Sequence, residues 1–372
     1  MKSLIIIGSG ILGASAAYHA AKSGAEVTVI DRGEPGQATG AAAGIVCPWL
    51  SQRRNKAWYE LVKNGAAYYP QLIRRLESDG ETETGYKKTG LLVMNDDRKL
   101  AQVEERALFR RETAPEIGEI RRQTADETQA MYPFAGEAFE SLYVEGAARV
   151  DGRELRDALI RSAAKHGARF IKGNAELILK NGRAAGVTVG GEQHSADCVA
   201  AAAGAWGAEL FRAIGLEFSV KPQKAQIIHL KTAAAAKQLP VVMGLYGQYT
   251  VPFDDGRIAV GATHENDAGY DLRKTAGGMH DILDKAFAVS PGLAAAEFVE
   301  ARVGFRPLLQ DSVTAIGEVP GVKGLYAANG LGSSGLTAGP YAGMQLAKLM
   351  IGEETDIAIP DYALDRFIRR DS

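Results

Sequence analysis

Two glycine clusters and one arginine are the residues whose types and spacing point to chemistry. GSGILG at residues 8–13 and GLGSSG at residues 330–335 each match G-x-G-x-x-G, a turn that brings backbone amides against a phosphate. FVEARVGFRP at residues 298–307 alternates: Val299, Ala301, Val303 and Phe305 take one face, and Glu300, Arg302, Gly304 and Arg306 the other. A guanidinium beside a glycine has room to grip a carboxylate with two parallel hydrogen bonds. On spacing alone, an internal ion pair with Glu300 accounts for Arg306 equally well. No Ser/His/Asp triad, carboxylate pair or metal-ligand spacing accompanies these residues. His19, His166, His194, His229, His264 and His280 are scattered, and Cys47 and Cys198 form no CxxC.

The front cluster is surrounded by the elements such a turn needs. Residues 4–7 form a continuous apolar strand; Gly8 makes the turn, Gly10 lets backbone approach a pyrophosphate, and Gly13 lets the next helix pack closely. That helix is expected over 11–22, with Ala14, Ala17 and Ala21 as small contacts and Gly24 ending it. A second strand over 26–30 leads to Asp31, whose carboxylate can accept from ribose hydroxyls and would repel a 2′-phosphate. The rear cluster follows a short strand (325–328) and precedes a helix (337–350). Only about twenty residues follow, Pro360 among them, too few for a second complete βαβ unit.

With 372 residues the chain has room for two domains of roughly 150 residues each. A net charge of -2 gives no reason to expect a polyanionic partner. Lys2 and the apolar run behind it imitate a signal peptide, but Gly8, Gly10 and Gly13 break the run and a helix and strand follow. No stretch reaches the roughly 20 apolar residues of a membrane span. A cytoplasmic protein is expected, and a homo-oligomer is left open.

ATGAAAGIVCPW at 38–49 is too small and apolar for a surface loop. Together with the front motif and NGLGSSGLTAG, it resembles the glycine oxidase, D-amino acid oxidase and sarcosine oxidase family of FAD-dependent flavoproteins, the glycine oxidase branch most of all. VDGRELRDALIRSAAKHGARF, AAGAWGAEL, QYTVPFDDGRIAVGAT and VGFRPLLQDSVTAIG extend the resemblance in order over nearly the whole chain. It implies an α/β fold: a Rossmann-type FAD-binding domain (1–85, 147–220 and 300–372) with an inserted α+β substrate domain built on an antiparallel sheet (86–146 and 221–299).

Carried over residue by residue, the resemblance sets Ile11 and Leu12 against the pyrophosphate and Asp31 and Arg32 at the adenosine, with Glu176 contacting that half through its backbone. Ala38, Thr39, Ala43, Gly44 and Ile45 line the flavin side, and the strand from Cys198 is taken to run to Gly204 at the cofactor. Gly330, Leu331, Gly332, Ser333, Ser334, Gly335, Leu336 and Thr337 wrap the isoalloxazine ring. One FAD then touches both glycine clusters. The amides opening the rear helix would stabilise negative charge on the reduced ring. Sarcosine oxidases of the family tether flavin through a cysteine near the position of Gly304, so FAD is expected to be non-covalent here. Cys47 reads as a buried structural thiol.

The resemblance further implies that Arg306 pairs with a substrate carboxylate, that Tyr249 assists through its hydroxyl (Tyr246 being the alternative register) and that Ser333 lies near the substrate amine. The implied reaction is FAD-dependent oxidation of the C–N bond of glycine, sarcosine or a small D-amino acid. The α-hydrogen leaves as hydride to flavin N5, and the imine hydrolyses to a 2-oxo acid. A 2-hydroxy acid or an N-substituted amino acid is the alternative substrate. A flavoprotein acting on modified tRNA, or a subunit of a larger amine dehydrogenase, is the alternative of another class. No nucleic-acid partner is expected: SQRRNKAWYELVK (51–63) is the nearest basic, aromatic stretch, and it reads as a helix near the pocket. The electron acceptor is left open between oxygen, a quinone and a protein. Two further expectations concern the insertions: a polar helix over 96–112 with a solvated face, and a hairpin turning at Asp255-Gly256.

Overall fold

The computed structural model describes residues 1–232 and 239–370. Residues 233–238 of the second insertion and 371–372 at the end of the third FAD-domain segment lie outside the described residues.

The apolar run at the front forms the strand Ser3–Ile7 at the heart of a six-stranded sheet. Its order is Ala315–Glu318, Leu325–Asn329, Cys198–Ala201, Ser3–Ile7, Glu26–Asp31 and Arg169–Lys172. All neighbours are parallel except the edge strand Ala315–Glu318. Leu4 to Ile7 are buried on both faces, as a parallel strand covered by helices requires. The helix Ile11–Lys22 follows as its small residues predict. The rear helix is longer than expected, Gly335–Ile351, because Gly335 and Leu336 join its first turn.

These two helices pack directly on one another. A Cβ at Gly339 would lie 2.8 Å from Ile11 Cγ2, and one at Gly343 would collide with the Leu12 carbonyl. Close contact through glycines therefore brings the two ends of the chain together, each with its cluster at the same end of the pair.

The second sheet has eight strands, and both insertions contribute to it. In order they are Glu297–Leu308, Lys221–Lys231, Arg257–Gly261, Tyr249–Pro252, Val241–Met243, Leu91–Met94, Ser141–Val144 and Ile120–Gln123. Pairing is antiparallel except where Val241–Met243 meets Leu91–Met94 and joins the two insertions. Tyr249–Pro252 and Arg257–Gly261 form the hairpin expected from Asp255-Gly256. The boundary expected at residue 300 falls inside the strand Glu297–Leu308, which pairs with Lys221–Lys231 from Glu297 to Leu308.

Two expectations are corrected. The strand from Cys198 stops at Ala201 rather than Gly204. There the chain turns away beside Gly8, where any Cβ would strike the Ala202 carbonyl, and Gly204 (φ 53) opens a short 3₁₀ turn, Gly204–Trp206. The polar helix Asp97–Arg111 is not only a solvated face. Leu100 and Ala107 are buried, and Arg106 and Arg110 donate to the carbonyls of Leu50 (3.1 Å) and Trp49 (2.7 Å). Charge alternation hides such arginines, whose stems cover apolar surface while their heads cap a turn. No described helix is long and apolar enough to cross a membrane.

Candidate active site

A cavity of about 680 Å³ runs between the two glycine clusters. At its front end, Gly8, Gly10, Ile11 and Leu12 line the wall where the helix Ile11–Lys22 begins. Gly13 does not line it: a Cβ there would strike the Gly8 carbonyl, so this glycine seats the helix on the turn. The Ile11 amide donates to Thr39 Oγ1 at 3.0 Å, linking the turn to the small-residue stretch. Asp31 braces the turn from the next strand. One of its oxygens accepts from the amide (2.6 Å) and hydroxyl (2.8 Å) of Ser9, the other from the Gly33 amide (2.6 Å) and Gln37 Nε2 (3.0 Å). Neither Ser9 nor Gln37 stands out in the sequence, since polar residues inside a loop carry no periodic signal. Arg32 lines the cavity but pairs with Glu34 and Glu209, both at 2.9 Å. Glu176 lines the same end.

Ala38, Thr39, Ala43, Gly44 and Ile45 form the middle of the cavity, and the Thr337 hydroxyl donates to the Ile45 carbonyl at 3.0 Å. Leu331, Gly332, Ser333, Gly335, Leu336 and Thr337 line the rear. Gly330 and Ser334 do not. A Cβ at Gly330 would meet Leu309 and the Val313 carbonyl, and Ser334 Oγ accepts from Trp58 Nε1 at 3.3 Å. Gly204 and Gly335 line the cavity, and a Cβ on either would meet no protein atom within 4 Å. The walls thus fit FAD: a helix N-terminus for the pyrophosphate at one end, and a side-chain-free surface with a second helix N-terminus for a planar ring at the other. Cys47 does not line the cavity, and burial pushes its thiol well above the ordinary range.

Arg306 and Tyr249 enter the same cavity from the eight-stranded sheet. Glu300, the internal partner that spacing allowed for Arg306, binds Arg302 instead, at 2.6 Å. Arg306 Nη1 donates to Gln223 Oε1 at 3.0 Å and to the Thr263 carbonyl at 3.3 Å, and no carboxylate pairs with it among the described residues. Burial lowers its pKa, Tyr249 opposing, yet a guanidinium stays charged. Burial also pushes the Tyr249 phenol up, with Arg306 opposing. Tyr246 lies outside the cavity lining and is 76% exposed. His264 lines the cavity as well; burial first and Arg306 second lower its pKa, so the ring is neutral. A lone histidine just past a strand end gives the sequence reader nothing to separate it from a surface residue.

The basic stretch at 51–63 opens the helix Lys56–Ser78, which packs by Gly65 against the start of the rear helix. Arg53 lies over the Trp58 ring, 4.8 Å from its centroid, and points toward Ser333 rather than contributing to a basic stripe.

The family described as "DAO: FAD dependent oxidoreductase" matches residues 3–349. An uncharacterized oxidoreductase, YurR, of Bacillus subtilis (strain 168) is 56% identical over 365 residues, 97% of this chain and 98% of the relative. Glycine oxidase of Pseudomonas aeruginosa is 31% identical, covering 97% of this chain and 98% of that enzyme. Among solved structures, iminodiacetate oxidase from Chelativorans sp. BNC1 superposes with a TM-score of 0.94 at 43% identity, covering 97% of this chain and 98% of that one.

Proposed function

Because the chain belongs to the DAO family of FAD-dependent oxidoreductases, we propose that it oxidises the C–N bond of a small amino acid. Glycine, sarcosine, small D-amino acids and N-substituted glycines such as iminodiacetate are the candidate substrates. One observation carries the reading: Arg306 faces the cavity charged and with no acid partner among the described residues.

Arg306 would take the substrate carboxylate through its free guanidinium edge, and the Tyr249 hydroxyl would add a donor beside it. Two anchors on rigid paired strands fix the acid group and so orient the α-carbon toward the rear cluster. When bound, FAD supplies the two-electron acceptor that receives the α-hydrogen as hydride. The first amides of the helix Gly335–Ile351 would stabilise negative charge on a ring bound there. No side chain need remove a proton from carbon, which suits a cavity whose histidine is made a weaker base by burial and by Arg306 and whose tyrosine is held protonated.

The testing experiment is anaerobic bleaching of the flavin spectrum by glycine, sarcosine, iminodiacetate, D- and L-alanine and lactate. Bleaching by one or more of the amines, and none by lactate, is the expected result. Bleaching by lactate alone would replace the amine reading with hydroxy-acid oxidation. Readmitting air then reports whether oxygen or another acceptor restores the colour. The proposed setting is the cytoplasm.

A further inference from the structure

Arg53 is a guanidinium just behind the cavity wall, in reach of the lining residue Ser333. It is half-buried and stacked over Trp58, and its Nη2 reaches Ser333 Oγ at 3.4 Å. Trp58 is itself fixed, since its amide donates to Asn55 at the helix cap (2.8 Å) and its indole N–H to Ser334 Oγ (3.3 Å). No carboxylate pairs with Arg53 among the described residues, and burial alone lowers its pKa. Arg302, Arg257 and Arg149 all carry acid partners (Glu300, Asp151 and Asp254). Arg53 resembles Arg306 in lacking one.

Arg306 and the serine that Arg53 reaches share the wall of one cavity. Ser333, Arg306 and Tyr249 all line it. A Cβ at Gly332 would lie 3.0 Å from Leu308 Cδ2, and Leu308 follows Arg306 by two residues, on the same strand face. The turn that Arg53 holds therefore abuts the end of the strand that carries Arg306. A guanidinium partly removed from water without a counter-ion is costly, and an acidic ligand removes that cost.

We propose that Arg53, together with Ser333, binds a second acid group, so that the preferred substrate is a secondary amine with a carboxylate on each side of its nitrogen. This rests on the amino-acid reading above, in which Arg306 takes the first carboxylate. A diacid held at both ends presents its nitrogen and one CH₂ between the anchors. A monoacid is held at one end only.

The test uses the FAD-loaded enzyme and the spectral perturbation of its flavin by two inert probes: thiodiglycolate, with two carboxylates, and methylthioacetate, with one. Wild type should bind the diacid roughly tenfold or more tightly than the monoacid, a difference of about 1.4 kcal/mol. Arg53→Met should reduce that preference to about twofold or less, and Arg53→Lys should retain part of it. The ratio of kcat/KM for iminodiacetate over sarcosine should fall in parallel. Equal weakening of both probes by Arg53→Met would make Arg53 a brace for the Ser333 turn and overturn the proposal, as would a wild type with no preference. Arg306→Met separates the two layers: it should weaken both probes, and if it weakens neither, the underlying amino-acid reading fails whatever Arg53 does.

Discussion

Gln223 stands directly across the strand pair from Arg306, and its side-chain oxygen accepts from Arg306 Nη1 at 3.0 Å. A neutral amide thus orients the guanidinium without cancelling its charge. An acid at the same place would have satisfied the arginine and closed the site to anions.

Two substitutions follow from that pairing. Arg306→Ala should weaken any carboxylate substrate by about 2–5 kcal/mol, measured as kcat/KM or as the Kd of an inert acid. Gln223→Glu keeps the shape but supplies an internal counter-ion, so it should raise KM for the same substrates while the FAD content of the purified protein stays normal. Unchanged kinetics in Gln223→Glu would mean that Arg306 is not the acid's partner.

Gly13 and Gly335 should respond differently to alanine. A Cβ at Gly13 would strike the Gly8 carbonyl, forcing the helix off its turn, so Gly13→Ala should lower both FAD content and Tm. A Cβ at Gly335 meets no protein atom within 4 Å, and the residue is already helical (φ -55), so the fold should survive. The methyl would instead occupy the surface proposed for the flavin ring. Gly335→Ala should therefore keep its Tm as apoprotein and bind FAD more weakly. Equal Tm losses would contradict that assignment.

Much of the fold was legible because its signals are local. The strand–turn–helix–strand at residues 3–31 follows from apolar runs and three glycines, and the hairpin at Asp255-Gly256 from turn chemistry. The strand face of Arg306 was legible from alternation, but its partner was not. Choosing Gln223 over Glu300 depends on the register between strands more than sixty residues apart. For the same reason Ser9, Gln37 and His264 gave no warning, and the pairing of Arg53 with Ser333 joins residues 280 apart in sequence. The strand's end at Ala201 departs from Gly204 because that expectation came from the resemblance and not from the residues themselves. What stops it is the close approach of Gly8, a tertiary event.

The pH profile should report the substrate rather than the protein. In the cavity Arg306 stays charged, the Tyr249 phenol is pushed up by burial, and the His264 ring is pulled down by burial and by Arg306. None of the three then changes charge across the neutral to mildly alkaline range. Electron release toward carbon requires a neutral amine, so kcat/KM should rise with pH until the free substrate's ammonium has lost its proton. A flat profile from pH 6 to 10 would count against amine oxidation.

The resemblance sets the sarcosine oxidase tether near the position of Gly304, which carries no thiol, and Cys47 within the small-residue stretch is outside the cavity lining with its pKa raised by burial. A thiol kept protonated is a poor nucleophile. Acid precipitation should therefore leave a colourless pellet and a yellow supernatant, whereas colour retained in the pellet would establish a covalent link.

Stability, unlike activity, should depend on acid pH through two buried histidines. Burial is the main reason that His19 and His229 are each pulled from 6.5 to about 4. His19 is flanked by the Ser15 carbonyl (2.7 Å) and the Tyr68 hydroxyl (2.6 Å), with Arg75, Lys22 and Lys348 adding repulsion. Neither ring nitrogen of His229 has a hydrogen-bond partner among the described residues, and Arg302 and Arg257 oppose its protonation more than Glu300 and Asp151 favour it. The unfolded chain takes up these protons below pH 6.5, while the folded chain resists them down to about pH 4. The contribution is thus whole above 6.5 and is lost as pH falls through this window, by up to about 3 kcal/mol per ring. Urea unfolding at pH 7.5 and 5.0 should show the drop. His229→Leu removes an orphaned polar ring from the core as well as one titration, so it should raise stability at both pH values and narrow the gap between them. An unchanged gap would show that His229 takes up its proton equally in both states.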